Sequence, residues 1–212
     1  MSCPGAANEM SPSSSPVPLS KPVTTSEYSP EERALLLCLA HEAIAAKLEG
    51  REPDTSPPTE HLAELRGVFT TLHLHGKLRG CIGYVLPRQS LYEAVAETAQ
   101  AAALQDPRFE PVSGSEAANL QIEISVLSPL TPISPDEVIV GMHGLLVTLG
   151  YRRGLLLPQV PVEWGWDRET FLDETCLKAG LPAHAWKHGA TIEAFTAEIF
   201  GDPANPEQTA HS

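Results

Sequence analysis

The sequence is short of several things, and each shortage removes a class of function. No apolar run approaches the roughly 18–20 residues that a membrane-spanning helix needs, so no membrane association is expected. Cysteine is scarce. Cys3, Cys38, Cys81 and Cys176 are the four, and no two stand at the Cys-x-x-Cys spacing of a zinc site or a redox pair. Nor do they have the spacing of a disulfide scaffold, so a reduced, cytoplasmic protein is expected. Positive charge is thin: 14 Lys and Arg stand against 27 Asp and Glu, for a formal net charge of -13. A chain of this sign is not expected to bind the phosphate backbone of nucleic acid. There is no phosphate loop, dinucleotide fingerprint, complete set of metal ligands or internal repeat, so no cofactor is expected. The first residues carry neither a basic start nor an apolar stretch, and no signal peptide is expected.

What is present suffices for one sizeable core or two small ones. Residues 1–28 are rich in Ser, Pro and Thr and are expected to form a disordered tail, and 203–212 a loose end. Between them, Ser29-Pro30-Glu31-Glu32 opens a helix with a capping box, and Gly50 closes it. Ser90 to Glu93 is a second capping box, starting a helix with a stripe of small apolar residues that Asp106-Pro107 stops. Leu120 to Leu127 alternates, with Leu120, Ile122, Ile124 and Val126 towards a core and Glu123 on the wet side or in a cleft. Ser128 to Pro135 is an irregular crossing, and Val138-Ile139-Val140 resumes extended structure. Pro158 to Trp166, dense in proline and tryptophan, is expected to pack over the sheet and wall a pocket. Asp167 caps a further helix. Ile192 to Phe200 reads as a last strand with Phe195, Ala197 and Ile199 inward. Strands in hairpin-like runs, with helices at intervals and no strict β-α-β alternation, predict an α+β fold with a mostly antiparallel sheet.

The chemistry concentrates in Leu78-Arg79-Gly80-Cys81-Ile82-Gly83. This stretch follows the alternating run Val68 to His75 through a break at Gly76-Lys77, the order of a hairpin. Alternation puts Leu78, Gly80 and Ile82 on one face and Arg79, Cys81 and Gly83 on the other. Glycine inside a strand marks a bulge or a close approach. The plainer reading makes Cys81 a small buried hydrophobe and the glycines a bulge. Arg108 is expected either to reach back to this strand or to pair with Asp106 or Glu110.

This segment resembles the signature of the AMME candidate-region domain (AMMECR-like) family. The likeness continues through Asp106-Pro107-Arg108-Phe109, Glu123 in Ile122 to Leu127, Gly141-Met142-His143-Gly144, Leu156 to Val160, Gly165-Trp166-Asp167, Phe171-Leu172, and Cys176 to Leu181. It covers roughly residues 29 to 202. Pro161-Val162-Glu163-Trp164 departs from the family's Ala-Thr/Lys-Glu-His/Gln pattern. The resemblance implies two unequal lobes in one compact unit, with helices flanking the sheet and a cleft between the lobes lined by the signature residues. It names no reaction. Bacterial members accompany Memo-like and radical-SAM-like proteins, which makes such proteins the expected partners.

Three functional readings follow. In the first, Cys81 is a nucleophile, its thiolate favoured by Arg79, with amides around Gly80 to Gly83 as an oxyanion site and His143 or Glu123 as base. In the second, Arg79 and Arg108 grip a small anion that the glycines let approach. In the third, the chain is an accessory scaffold that presents the Pro/Trp segment around Val160 to Trp166 to a partner.

Overall fold

The computed structural model describes residues 26–203. In chain order the elements are α1 (Pro30–Glu49), β1 (Val68–Leu74), β2 (Lys77–Tyr84), α2 (Leu91–Leu104), α3 (Gly114–Ala117), β3 (Leu120–Leu127), β4 (Thr131–Pro132), β5 (Gly144–Leu149), β6 (Arg152–Leu156), α4 (Gln159–Glu163), α5 (Arg168–Lys178), β7 (Thr191–Phe195) and β8 (Ala197–Gly201). None of these helices is long and apolar enough to cross a membrane.

Both capping boxes form. Ser29 and Ser90 accept the backbone N–H three residues on, while Glu32 and Glu93 reach back to the cap amides. The first sheet has the order β2-β1-β3-β8, every neighbour antiparallel. Leu36, Leu39, Ala43 and Ile44 of α1 and Ala94, Val95, Ala99 and Ala102 of α2 share one core with Val68, Leu72, Ile122, Ile124, Val126 and Phe200. The small residues of α2 let its backbone lie close to the sheet. Between helix and strand, the hydroxyls of Thr98 and Thr70 meet at 2.8 Å, a buried polar pair that satisfies itself.

The second sheet has the order β4-β7-β5-β6, and α5 buries Phe171, Leu172 and Cys176 against it in a smaller separate core. The fold is α+β, as predicted. The chain passes from the first sheet to the second between Leu127 and Thr131, at the start of the crossing anticipated over Ser128 to Pro135, which is not irregular throughout, since Thr131–Pro132 pairs with β7 as β4. It returns at Thr196. The two crossings are joined there: Ser128 N–H donates to the Thr196 carbonyl at 2.9 Å, and Thr196 N–H donates to Ser128 Oγ at 3.0 Å.

Four expectations are corrected. Ile192 to Phe200 is two strands in different sheets; the break at Thr196 changes which residues point inward, so Phe195 and Phe200 are buried while Ile199 is 58% exposed. Val138-Ile139-Val140 forms no strand, because the Ile139 carbonyl turns back to the amides of Met142 and His143. Part of the Pro158 to Trp166 segment is the short helix α4. Ser26 to Tyr28, assigned to the tail, pack on the domain: Tyr28 is buried and stacked on His61, and Glu198 accepts from the Glu27 N–H at 2.7 Å. The remainder of the expected tail, residues 1–25, and residues 204–212 lie outside the described residues.

Candidate functional site

The sheet face turned away from α1 and α2 carries the candidate site. Pairing sets Cys81 opposite Thr71 and Thr71 opposite Glu123. On the next rung Gly83, Phe69, Ser125 and Ile199 follow one another across the four strands. Alternation puts all of these on one face. With Leu157-Pro158-Gln159, where the chain enters α4, all of them but Gly83 line a hollow of about 120 Å³ that holds both Cys81 and Glu123. The Thr71 hydroxyl lies between them and donates to Cys81 Sγ at 3.3 Å. Cys81 is half-buried and open to this hollow, whereas Cys176 is sealed in the smaller core, where burial pushes its thiol pKa up. Pro158 and its neighbours therefore help to wall a pocket, as the segment's composition suggested.

Five other predicted site residues have different surroundings. Arg79 does not look out beside Cys81. The register slips between Leu72 and His73, leaving Arg79 as the extra residue of a β-bulge. Its guanidinium turns to α3, meeting Glu116 at 3.0 Å and the Glu110 carbonyl at 2.9 Å. That pairing, with the Ser113 amide, holds the Glu116 pKa down to about 2. The same slip moves Leu78 off the core, and it is 42% exposed.

Gly80 and Gly83 are not an open platform. A Cβ on Gly80 would lie 2.1 Å from the Ala102 carbonyl oxygen, and one on Gly83 would lie 2.4 Å from the Phe69 ring. The first glycine lets α2 sit on the sheet; the second is covered by an aromatic ring. Nor is the Cys81 amide available to an oxyanion, since it donates to Asp106 Oδ2 at 2.9 Å.

Arg108 does both things the sequence allowed. It pairs with Asp106 at 2.7 Å and donates to the Cys81 carbonyl at 3.3 Å. The Arg108 guanidinium holds the Asp106 carboxyl far below the usual carboxylate range, helped by the Cys81 and Arg108 amides and opposed by burial. Because β2 is an edge strand, this Asp-Arg pair closes its free edge at Cys81.

His143 lines a different hollow, of about 330 Å³, with Glu137, Thr131 and Ser128, and none of that lining is shared with the Cys81 hollow. Its Nδ1 accepts from the Ile139 N–H at 3.2 Å, and burial lowers its pKa and favours the neutral ring. The structure thus brings Cys81 and Glu123 together, adds Thr71 and Ser125, and leaves His143 apart. Thr71 was missed because nothing in a single strand's sequence says which residue its neighbour places opposite. Asp106 was recognised only as a helix stop and an Arg108 partner.

One further group, Glu27, His61 and Glu64, has its ligand atoms within 4.8 Å of one another. Arg66 already bonds both of its carboxylates, at 2.5 and 2.7 Å, so the place a cation would take holds a guanidinium.

Comparison with known proteins gives a consistent result. The AMMECR1 family model matches residues 37–200. A protein of Methanopyrus kandleri is 46% identical over 182 residues, covering 80% of this chain and 88% of that one. One from Methanothermobacter thermautotrophicus is 43% identical over 189 residues, covering 82% of this chain and 97% of its own. The crystal structure of a Pyrococcus horikoshii protein is similar at 45% identity with a TM-score of 0.65, covering 81% of this chain and 91% of that one. The matched span runs from within α1 into β8 and so includes both sheets, the hollow and the edge closure by Asp106 and Arg108: the chain belongs to the AMMECR1 family.

Proposed function

We propose that this protein is a cysteine-dependent enzyme acting on a small molecule held in the hollow between the first sheet and Leu157-Pro158-Gln159. Cys81 is the nucleophile. Its sulfur adds to a carbonyl carbon of the substrate while the C=O π pair moves onto the oxygen; the thiol proton passes to the Glu123 carboxylate through Thr71 or a water molecule and is returned to that oxygen, giving a thiohemiacetal. Strand spacing puts Cys81 and Glu123 roughly 10 Å apart at the backbone, two ladders across, leaving room above Thr71 for the reacting group. The observation that carries this reading is that the thiol opens into the same hollow as a carboxylate. The anion-binding reading loses support, because Arg79 and Arg108 are engaged by Glu116 and Asp106.

Iodoacetamide labelling of a Cys3→Ser variant tests the proposal, with exposed Cys38 as internal reference. Cys81 should be alkylated faster than Cys38 at neutral pH, and both Glu123→Gln and Thr71→Val should slow it. Labelling of Cys81 no faster than Cys38, unchanged by either substitution, removes the nucleophile.

An accessory role beside Memo-like and radical-SAM-like proteins is the second reading. It is favoured by the exposure of Trp164 and Val162, 70% and 59%, on and just after α4. Trp164→Ala should reduce recovery of such partners in a pull-down; unchanged recovery sets that surface aside.

A further inference from the structure

The first sheet has two edge strands, and they are finished differently. At β2 the outward N–H and C=O of Cys81 are taken by Asp106 and Arg108. At β8 the register decides which groups point outward. Asp202 N–H donates to the Ile122 carbonyl and Ser128 N–H to the Thr196 carbonyl, both at 2.9 Å. Hydrogen-bonded pairs therefore fall at 122/202, 124/200, 126/198 and 128/196. The amides and carbonyls of Ala197, Ile199 and Gly201 alternate with these and face away from β3. Among the described residues, no group bonds to the outward backbone of Ala197 or Ile199. Glu198 does not cover the edge, since its carboxylate holds Arg33 at 2.8 Å and the Glu27 amide.

Beside this edge lies a hollow of about 520 Å³, lined by Val126, Met142, Ala197 and Ile199 and, on its other side, by Glu27, Arg33 and Glu198. Ile199 and Met142 are 58% and 42% exposed. An unpaired strand edge next to a hollow with one apolar side is an arrangement that accepts an added strand: the backbone supplies hydrogen bonds, and every second side chain of the guest reaches the apolar side. The protein's net charge of -13 selects the sign of the guest's remaining side chains.

We propose that β8 is a docking edge for an extended segment of a partner polypeptide in which apolar residues alternate with Lys or Arg. The added strand pairs with Ala197 and Ile199 and sets its apolar side chains over Ile199 and Met142. This surface adjoins the thiol site, since Ala197 and Ile199 also line the Cys81 hollow, but it makes no use of the thiol, so Cys81→Ser leaves docking intact.

The test is binding of the full chain to two arrays of acetylated hexapeptides, one alternating Val, Leu or Ile with Lys, the other alternating the same residues with Glu. The Lys set should bind and the Glu set should not, with binding weakened by salt. Nuclear magnetic resonance should place the shifted amides at 197–201 rather than at β2. Ile199→Pro removes an outward N–H without touching the β3 ladder and should weaken binding at least about tenfold. N-methylation of alternate peptide amides, which leaves the protein unaltered, should do the same. Absence of binding by the Lys set, indifference to both changes, shifts mapping to another face, or a concentration-dependent dimer that Ile199→Pro abolishes would each overturn the proposal.

Discussion

The two faces of the first sheet are built from the same strands yet do opposite things. Towards α1 and α2, Val68, Leu72, Ile122, Ile124 and Val126 are at most 2% exposed, and Gly80 admits only the backbone of α2. On the other face, Thr71, Cys81, Glu123 and Ser125 are half-buried around a hollow, and Glu123 has no hydrogen-bond partner among the described residues. Close packing leaves the first face nowhere to relax. The second tolerates polar groups because nothing is packed onto them. Substitutions should therefore separate cleanly, with loss of stability on one side and loss of chemistry on the other.

The largest effect is expected at Gly80. Gly80→Ala drives a methyl into the Ala102 carbonyl and should destabilise the fold by at least about 3 kcal/mol in a denaturant titration. A loss under about 1 kcal/mol would mean that α2 can lift from the sheet. Next comes Asp106, whose side chain is 2% exposed. Asp106→Ala leaves the Cys81 amide without its acceptor and should cost about 1–3 kcal/mol, while the exposed Arg108 guanidinium turns to water.

Acid should report on the Asp106–Arg108 and Glu116–Arg79 pairs. Asp106 and Glu116 have folded pKa values below their ordinary 3.8 and 4.5. The unfolded chain therefore binds more protons in acid, and stability rises with pH there. Their contribution is complete above roughly pH 4.5 and is lost as the pH falls towards about 2. In thermal melts across this window, Asp106→Asn should flatten the acid limb; an unchanged slope would mean that the pair does not carry it. The smallest expected effect belongs to the open face. Glu123→Gln and Ser125→Ala should change stability by less than about 0.5 kcal/mol. If either proves as costly as Asp106→Ala, the open face is structural and the contrast collapses.

Much of the frame was legible residue by residue. The capping boxes at Ser29 and Ser90, the alternation of Leu120 to Val126 and the prolines of the crossing are local signals, and local geometry obeyed them. The site was half legible. Cys81 and Glu123 were identifiable from the family motifs, but the reading placed Arg79 beside them because alternation assumes an unbroken ladder. One bulged residue sends that guanidinium to Glu116 instead. Gly80 and Gly83 were recognised as close approaches, but towards a ligand rather than towards Ala102 and Phe69.

From the sequence alone came the two long capped helices, the hairpin and the alternating strand, the α+β class, the family and the residues able to do chemistry, because caps, turns and side-chain period act over a few neighbours. Tertiary structure alone decided that Thr71 lies between Cys81 and Glu123, that His143 sits in another hollow, and that, among the described residues, one sheet edge is closed while the other is open. Those outcomes depend on strand register and on contacts between residues far apart in the chain, and no local pattern encodes either.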